Sequence, residues 1–249
     1  MVALYAHRGA AVELPENTLP AFARALELGA TALETDAHLT KDGHVVLSHD
    51  ETGARAAGVP HRIDACTLGE VRTWNVASGH AHGAHPYTMP TLGEALAAFP
   101  GVPFNVDCKP RGRRAAEAVV RAVRDARAQA RVRIASFETR TLRHVRHLGY
   151  EGETGLGQSE IVRLALLPMA WLRARPPRGS AAQVPVSAFG VRLDTRRFID
   201  RCHALGLEVH YWTINVPEEA LRLAALGADA VMTDDPGKIA PALRLAPRG

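Results

Sequence analysis

The chain has 249 residues, 47% of them apolar, and a formal net charge of +4, a length and composition suited to one large α/β core. Only Lys41, Lys109 and Lys238 among the 30 cationic residues are lysines. The arginines crowding Arg111 to Arg146 are interleaved with acids along helical stretches, which favours a solvated face over a nucleic-acid one, and no apolar run reaches the roughly 18 residues of a membrane span.

Cys66, Cys108 and Cys202 are odd in number, far apart and in no CxxC pattern, so neither a disulfide framework nor a zinc-thiolate site is expected. Met1 to Ala6 enter a strand-like run directly, with no export signal, and the expected location is the cytoplasm.

In chain order, a strand is expected over Val2–Ala6, closed by His7-Arg8-Gly9. Glu16-Asn17-Thr18 then precedes a helix over Leu19–Leu28, with Asn17 or Thr18 as an ordinary N-cap. A second strand, Ala32–Leu39, is followed by a short extended run, His44–Leu47, and by His49-Asp50. Residues 50–90 then break the alternation and read as an insertion over the mouth of the fold. Within it, His80, His82 and His85 could bind a transition metal, although three histidines in a Gly-rich loop are more often incidental.

From Thr91 the alternation is regular. Thr91 and Glu94 have capping-box spacing before a helix over Leu92–Phe99. Further strands are expected over Val102–Cys108, Val132–Ala135, Glu153–Leu156, Gln183–Val186, Glu208–Thr213 and Ala230–Thr233. The helices between and after them are Arg114–Gln129, Thr139–Leu148, Glu160–Arg173, Thr195–Leu205, Glu218–Leu226 and Pro236–Leu245. Eight strands, each followed by a helix, imply a TIM (β/α)8 barrel filling 1–249 as a single domain. A doubly wound open sheet is the alternative, because periodicity does not report whether a sheet closes.

In a parallel barrel the chemistry gathers at the C-terminal strand ends. Glu34 and Asp36 are two residues apart and point to one side, as do Asn105, Asp107 and Lys109 on the next core strand. Three inward carboxylates repel one another unless a cation sits among them, and an all-oxygen set suits Mg²⁺ or Ca²⁺. The competing reading pairs Glu34 and Asp36 with arginines at a strand end. Arg8 can contact phosphate oxygens in a bidentate fashion, while His7 and His49 offer imidazoles that exchange protons near neutral pH.

An ordered series of motifs resembles the glycerophosphodiester phosphodiesterase family. It comprises His7-Arg8-Gly9, Glu16-Asn17-Thr18, Glu34-x-Asp36, Thr40-Lys41-Asp42-Gly43, His49-Asp50, Pro90-Thr91-Leu92-x-Glu94, Asn105-x-Asp107-x-Lys109, Trp212-Thr213-x-Asn215 and Thr233-Asp234-x-Pro236. The resemblance implies a TIM barrel with one divalent metal ion, Mg²⁺ or Ca²⁺, held by Glu34, Asp36 and Asp107. It also implies His7 and His49 as the acid/base pair, Arg8 and Lys109 on the phosphate, and Trp212 lining the substrate site. One departure stands out: the family pattern usually has Glu where this chain has Asp107, a carboxylate one methylene shorter.

The expected reaction is hydrolysis of a small-molecule glycerophosphodiester to an alcohol and sn-glycerol 3-phosphate, through a cyclic phosphate made by the glycerol 2-hydroxyl. The alternatives are a phospholipase D acting on lysophospholipids and a barrel that binds a phosphorylated ligand without catalysis, for which Asp107 is the best support. No nucleic acid and no stable membrane insertion are expected, and the oligomeric state is not legible.

Overall fold

The computed structural model of the chain describes residues 2–77, 86–188 and 190–245. Its barrel strands are β1 (Ala3–His7), β2 (Ala32–Leu39), β3 (Phe104–Cys108), β4 (Val132–Ala135), β5 (Glu153–Thr154), β6 (Ala181–Val184), β7 (Glu208–Tyr211) and β8 (Ala230–Thr233). All pair in parallel, in the order β5-β4-β3-β2-β1-β8-β7-β6. A single bridge from Gly155 to Ala181 brings the two ends together, with Leu156 N–H donating to the Ala181 carbonyl at 3.0 Å. The result is a nearly closed eight-stranded barrel with helices between successive strands, which sets the open-sheet alternative aside.

Strand parity divides the side chains between two environments. Leu33, Ala37, Phe104, Val106, Val132 and Ile134 join Phe22, Leu92, Val119 and Leu142 of the surrounding helices in one large apolar cluster. Leu4, Val184, Val209, Tyr211 and Val231 anchor a second on the other flank. The inward positions carry most of the polar groups. At the N-terminal strand ends the buried Arg133 guanidinium reaches Glu153, Glu208 Oε2 (2.6 Å), Ser180 Oγ (3.1 Å) and Tyr5 Oη (3.4 Å). A buried cation is tolerated there because carboxylates and neutral acceptors surround it.

Beyond the barrel rim, β2 continues into a hairpin. Thr40 Oγ1 donates to Asp42 Oδ1 at 2.7 Å, Gly43 takes a positive φ of 89°, and Val45–Leu47 returns antiparallel to β2. Ser48 N–H then donates to the Asp36 carbonyl at 3.0 Å, which delivers His49 beside the second strand. The following segment forms short helices at Ala54–Ala57 and Leu68–Val71 around its own apolar cluster of Val46, Ile63, Val71, Trp74, Val76 and Met89. The His80, His82 and His85 stretch lies outside the described residues.

Several element boundaries differ from expectation. The helix expected over Glu160–Arg173 is two helices, Gln158–Leu166 and Met169–Ala174. Pro168 breaks it: proline restricts the residue before it, and Leu167 turns to φ −80°, ψ 149°. Strand β6 ends at Val184, not Val186, because Pro185 has no N–H for the ladder. A short antiparallel ribbon, Ser187–Ala188 with Val191–Arg192, follows it, and no regular alternation announces it. The Thr91 capping box is present: Thr91 Oγ1 accepts from Glu94 N–H at 3.2 Å, and Glu94 Oε2 accepts from Thr91 N–H at 2.8 Å.

Candidate active site

The C-terminal strand ends surround a cleft of about 660 Å³ lined by His7, Arg8, Glu34, Asp36, His49, Asp107, Lys109 and Trp212. All eight residues singled out in the sequence therefore face one space. Strand register explains the carboxylates: Glu34 lies opposite His7 on one side and Asn105 on the other, and Asp36 lies opposite Asp107. Side chains at matched inward positions of adjacent strands are close neighbours.

The turn after β1 is shaped by two successive left-handed residues, Arg8 at φ 60° and Gly9 at φ 88°. A Cβ on Gly9 would stand 2.7 Å from the Ala21 carbonyl carbon, so the first helix packs on a backbone with no side chain. The turn points Arg8 N–H at Glu34 Oε2 (3.2 Å) and brings Arg8 Nε to 3.0 Å from Asp36 Oδ2. That last contact is ionic only, since the buried Nε–H is misaligned and has no hydrogen-bond partner. Arg8 Nη1 is held loosely by Glu16 at 3.4 Å, while Arg55 binds the same carboxylate at 2.7 Å.

Two histidines each engage an aspartate. His7 Nδ1–H donates to Asp234 Oδ1 at 2.6 Å and His49 Nδ1–H to Asp50 Oδ1 at 2.7 Å. The pairing fixes the tautomer and leaves Nε2 as the free nitrogen on each ring; His7 Nε2 lies 3.9 Å from Glu34 Oε2. Burial lowers the His7 pKa, but Glu34 and the Asp234 hydrogen bond outweigh it, and the net shift is upward. Burial opposes ionisation of Asp234, yet its bonds to His7 and to Asn215 Nδ2 (2.8 Å) hold the carboxyl below its ordinary value.

The three carboxyls are shifted in different directions. Burial, reinforced by Asp36, pushes Glu34 up to about 8. Asp107 is also raised, mainly by burial. Burial acts on Asp36 in the same sense, but Lys109 and Arg8 prevail and keep it low. Lys109 Nζ stands 2.8 Å from Asp36 Oδ1 and 2.7 Å from Asp107 Oδ2. Among the described residues Glu34 has no guanidinium or ammonium within ion-pair reach, so the reading that paired both strand-end carboxylates with arginines fits Asp36 and not Glu34. An all-oxygen set with two carboxyls pushed upward mainly by burial suits a hard divalent cation. Among the described residues, no three His, Cys, Asp or Glu side chains already enclose a common point; Lys109 stands between two of the carboxylates.

Several residues carry work that the sequence left unassigned. Thr18 is the N-cap, accepting from Ala21 N–H at 3.4 Å. Asn17, at φ 57°, does something else: its Nδ2 donates to Asp36 Oδ2 at 3.1 Å and its Oδ1 accepts from Thr35 Oγ1 at 2.7 Å. Asp234 stood in a motif without a role, and its neighbourhood to His7 is 227 residues long-range. Phe137, just beyond β4, meets Trp212 edge to face with ring centroids 5.7 Å apart and lies 6.0 Å from Lys109 Nζ. Its position after a strand was the available signal.

The family model of the glycerophosphoryl diester phosphodiesterases matches residues 7–238. The chain belongs to this family. Among the family's curated members, a Mycobacterium tuberculosis protein described as a probable glycerophosphodiester phosphodiesterase is 32% identical over 92% of this chain and 86% of its own. A lysophospholipase D of Homo sapiens is 28% identical over 94% of this chain and 83% of its own. The crystal structure of an Oleispira antarctica phosphodiesterase in complex with the product sn-glycerol-3-phosphate superposes with a TM-score of 0.81. It shares 26% identity and covers 97% of this chain and 96% of that one.

Proposed function

We propose that the chain is a metal-dependent glycerophosphodiester phosphodiesterase that releases sn-glycerol 3-phosphate and an alcohol. The observation that carries this reading is the pair of aspartate-bound imidazoles, His7 with Asp234 and His49 with Asp50, on one cleft with Arg8 and Lys109. Two imidazoles supply both halves of a proton relay, which favours catalysis over phosphate binding alone. The family relationship and the product named for the Oleispira structure support the substrate class.

A glycerol phosphodiester carries its own nucleophile, the 2-hydroxyl, held near phosphorus at high effective concentration. One histidine takes the hydroxyl proton and the other protonates the departing alcohol; a water then opens the cyclic phosphate with the two roles reversed. Arg8 and Lys109 neutralise charge spread over the non-bridging oxygens. Glu34, Asp36 and Asp107 would hold Mg²⁺ or Ca²⁺, which when bound supplies further positive charge to the phosphate. Trp212 and Phe137 line one side of the cleft.

A panel of glycerophosphodiesters assayed for glycerol 3-phosphate, with and without chelator, tests the proposal. Release that stops in excess EDTA and returns with Mg²⁺ or Ca²⁺ is expected; full activity in EDTA overturns the metal dependence. A second reading, phospholipase D action on lysophospholipids, is favoured by the cleft's apolar wall, where Phe137, Ile161, Val162, Leu166 and Val191 extend away from the charged groups. Turnover of micellar lysolipid set against glycerophosphocholine separates the two.

A further inference from the structure

The two helices split by Pro168 form a ridge with unlike flanks. On one side Ile161, Val162, Ala165 and Leu166 line the catalytic cleft. On the other lies a groove of about 1010 Å³ lined by Arg143, Arg146, Arg163, Arg175 and Arg178. The groove's one carboxylate, Glu160, is taken by Arg146 at 2.8 Å. Some exposed arginines elsewhere face an acid, as in Arg24 with Glu13, Arg62 with Asp64, Arg113 with Glu117 and Arg196 with Asp200, while others, such as Arg121, Arg140 and Arg197, stand singly in solvent among the described residues. Arg143, Arg163, Arg175 and Arg178 are exposed and have no such counterpart among the described residues. Two large apolar side chains of this ridge stand in solvent, Leu166 on the cleft wall at 70% exposure and Trp171 on the groove wall at 61%.

An occupant of this ridge must offer negative charge to four arginines and an apolar medium to a tryptophan and a leucine. Duplex nucleic acid, with its bases stacked inside, offers the first without the second. A phospholipid surface with anionic headgroups offers both, and interfacial helices with basic and Trp- or Leu-bearing faces bind there without spanning. We infer that residues 158–178 dock this chain peripherally on an anionic phospholipid surface, with Trp171 and Leu166 in the headgroup region and the arginines on phosphates. No described helix is long and apolar enough to cross a membrane, so the attachment is to one face. Docking sets the apolar wall of the cleft beside the lipid through Leu166, which lines it.

Co-sedimentation with sucrose-loaded vesicles tests docking apart from catalysis. The chain is expected to pellet with phosphatidylcholine vesicles containing phosphatidylglycerol, to stay in the supernatant with phosphatidylcholine alone, and to be released as salt rises. Arg163→Glu and Arg175→Glu should each lower partitioning about fivefold or more while keeping the far-UV spectrum and melting temperature. Trp171→Ser should also weaken binding. Trp171→Phe should keep it but lose the blue shift of tryptophan emission that vesicles induce. A chain that stays in the supernatant with the anionic vesicles at low salt overturns the inference, as does undiminished pelleting of the double arginine variant. Vesicle binding indifferent to Trp171→Ser and displaced by duplex nucleic acid marks a plain polyanion patch and overturns it too. So does a solution dimer that Trp171→Ser dissociates, because a second copy then covers the ridge. None of these readouts depends on which diester is hydrolysed.

Discussion

At the scale of single residues, the cleft is organised by which groups hold their protons. His7→Ala and His49→Ala should each reduce kcat/KM about 10²- to 10⁴-fold, with folding checked by circular dichroism; near-wild-type turnover removes that residue from the relay. Asp234→Asn keeps the shape but not the charge against His7. It should lower kcat with little change in KM and shift the acidic limb of the pH profile, as expected for a residue that positions a base. Glu34 behaves differently. Its carboxyl, raised to about 8 by burial and by Asp36, is costly to ionise, so its ionisation in the metal-free chain takes stability away as pH rises from its unfolded value towards 8. Glu34→Gln should therefore melt higher than the wild-type apo chain at neutral pH, by a few degrees at roughly 2–4 °C per kcal/mol for this length, while losing activity. Added Mg²⁺ or Ca²⁺ should raise the wild-type melting temperature and leave that of the variant nearly unmoved. A variant that melts lower, or gains as much from metal, contradicts this account of the site.

At the scale of elements, the turn after β1 is the most constrained piece of the site. Gly9→Ala places a methyl against the Ala21 backbone at 2.7 Å in a conformation of positive φ, and should cost about 1–3 kcal/mol. Chemical denaturation would show it, with activity falling because Arg8 moves with the turn. Most of the element order was legible, since alternation placed Glu34 with Asp36 and Asp107 with Lys109, and the strand pairing agrees. The broken helix was legible in principle, because Pro168 sits inside the run that was read as continuous. The ribbon at Ser187–Arg192 was not, since two-residue strands leave no periodicity. Nor was the function of Asn17: N-caps and neighbouring polar residues share a composition, and only the fold shows that one serves Thr35 and Asp36 while Thr18 caps the helix.

At the scale of the whole molecule, the barrel is polar at both ends of its axis for different reasons. The N-terminal end is plugged by Arg133 with Glu153 and Glu208. The His210 hydrogen bond first, and Arg133 with it, pull Glu208 down to about 2 against its burial. A depressed carboxylate contributes stability that is present above its unfolded value of about 4.3 and lost as pH falls towards 2. Burial lowers the His210 pKa, which adds a loss in the same direction below about 6.5. Glu208→Gln should melt below wild type at pH 7, the gap amounting to about 1 kcal/mol for a half-exposed partner and closing as pH approaches 2. A gap that stays constant across that range shows the contact to be packing and not charge.

The bond between His7 and Asp234 joins the end of the first barrel strand to the residue after the last. A ribosome therefore releases His7 early and its partner 227 residues later, so the nascent chain holds an untethered imidazole until the ring has all eight staves. The tethering of this imidazole is thus a by-product of closure, and a chain broken before Asp234 carries the family's first motif with its histidine unheld.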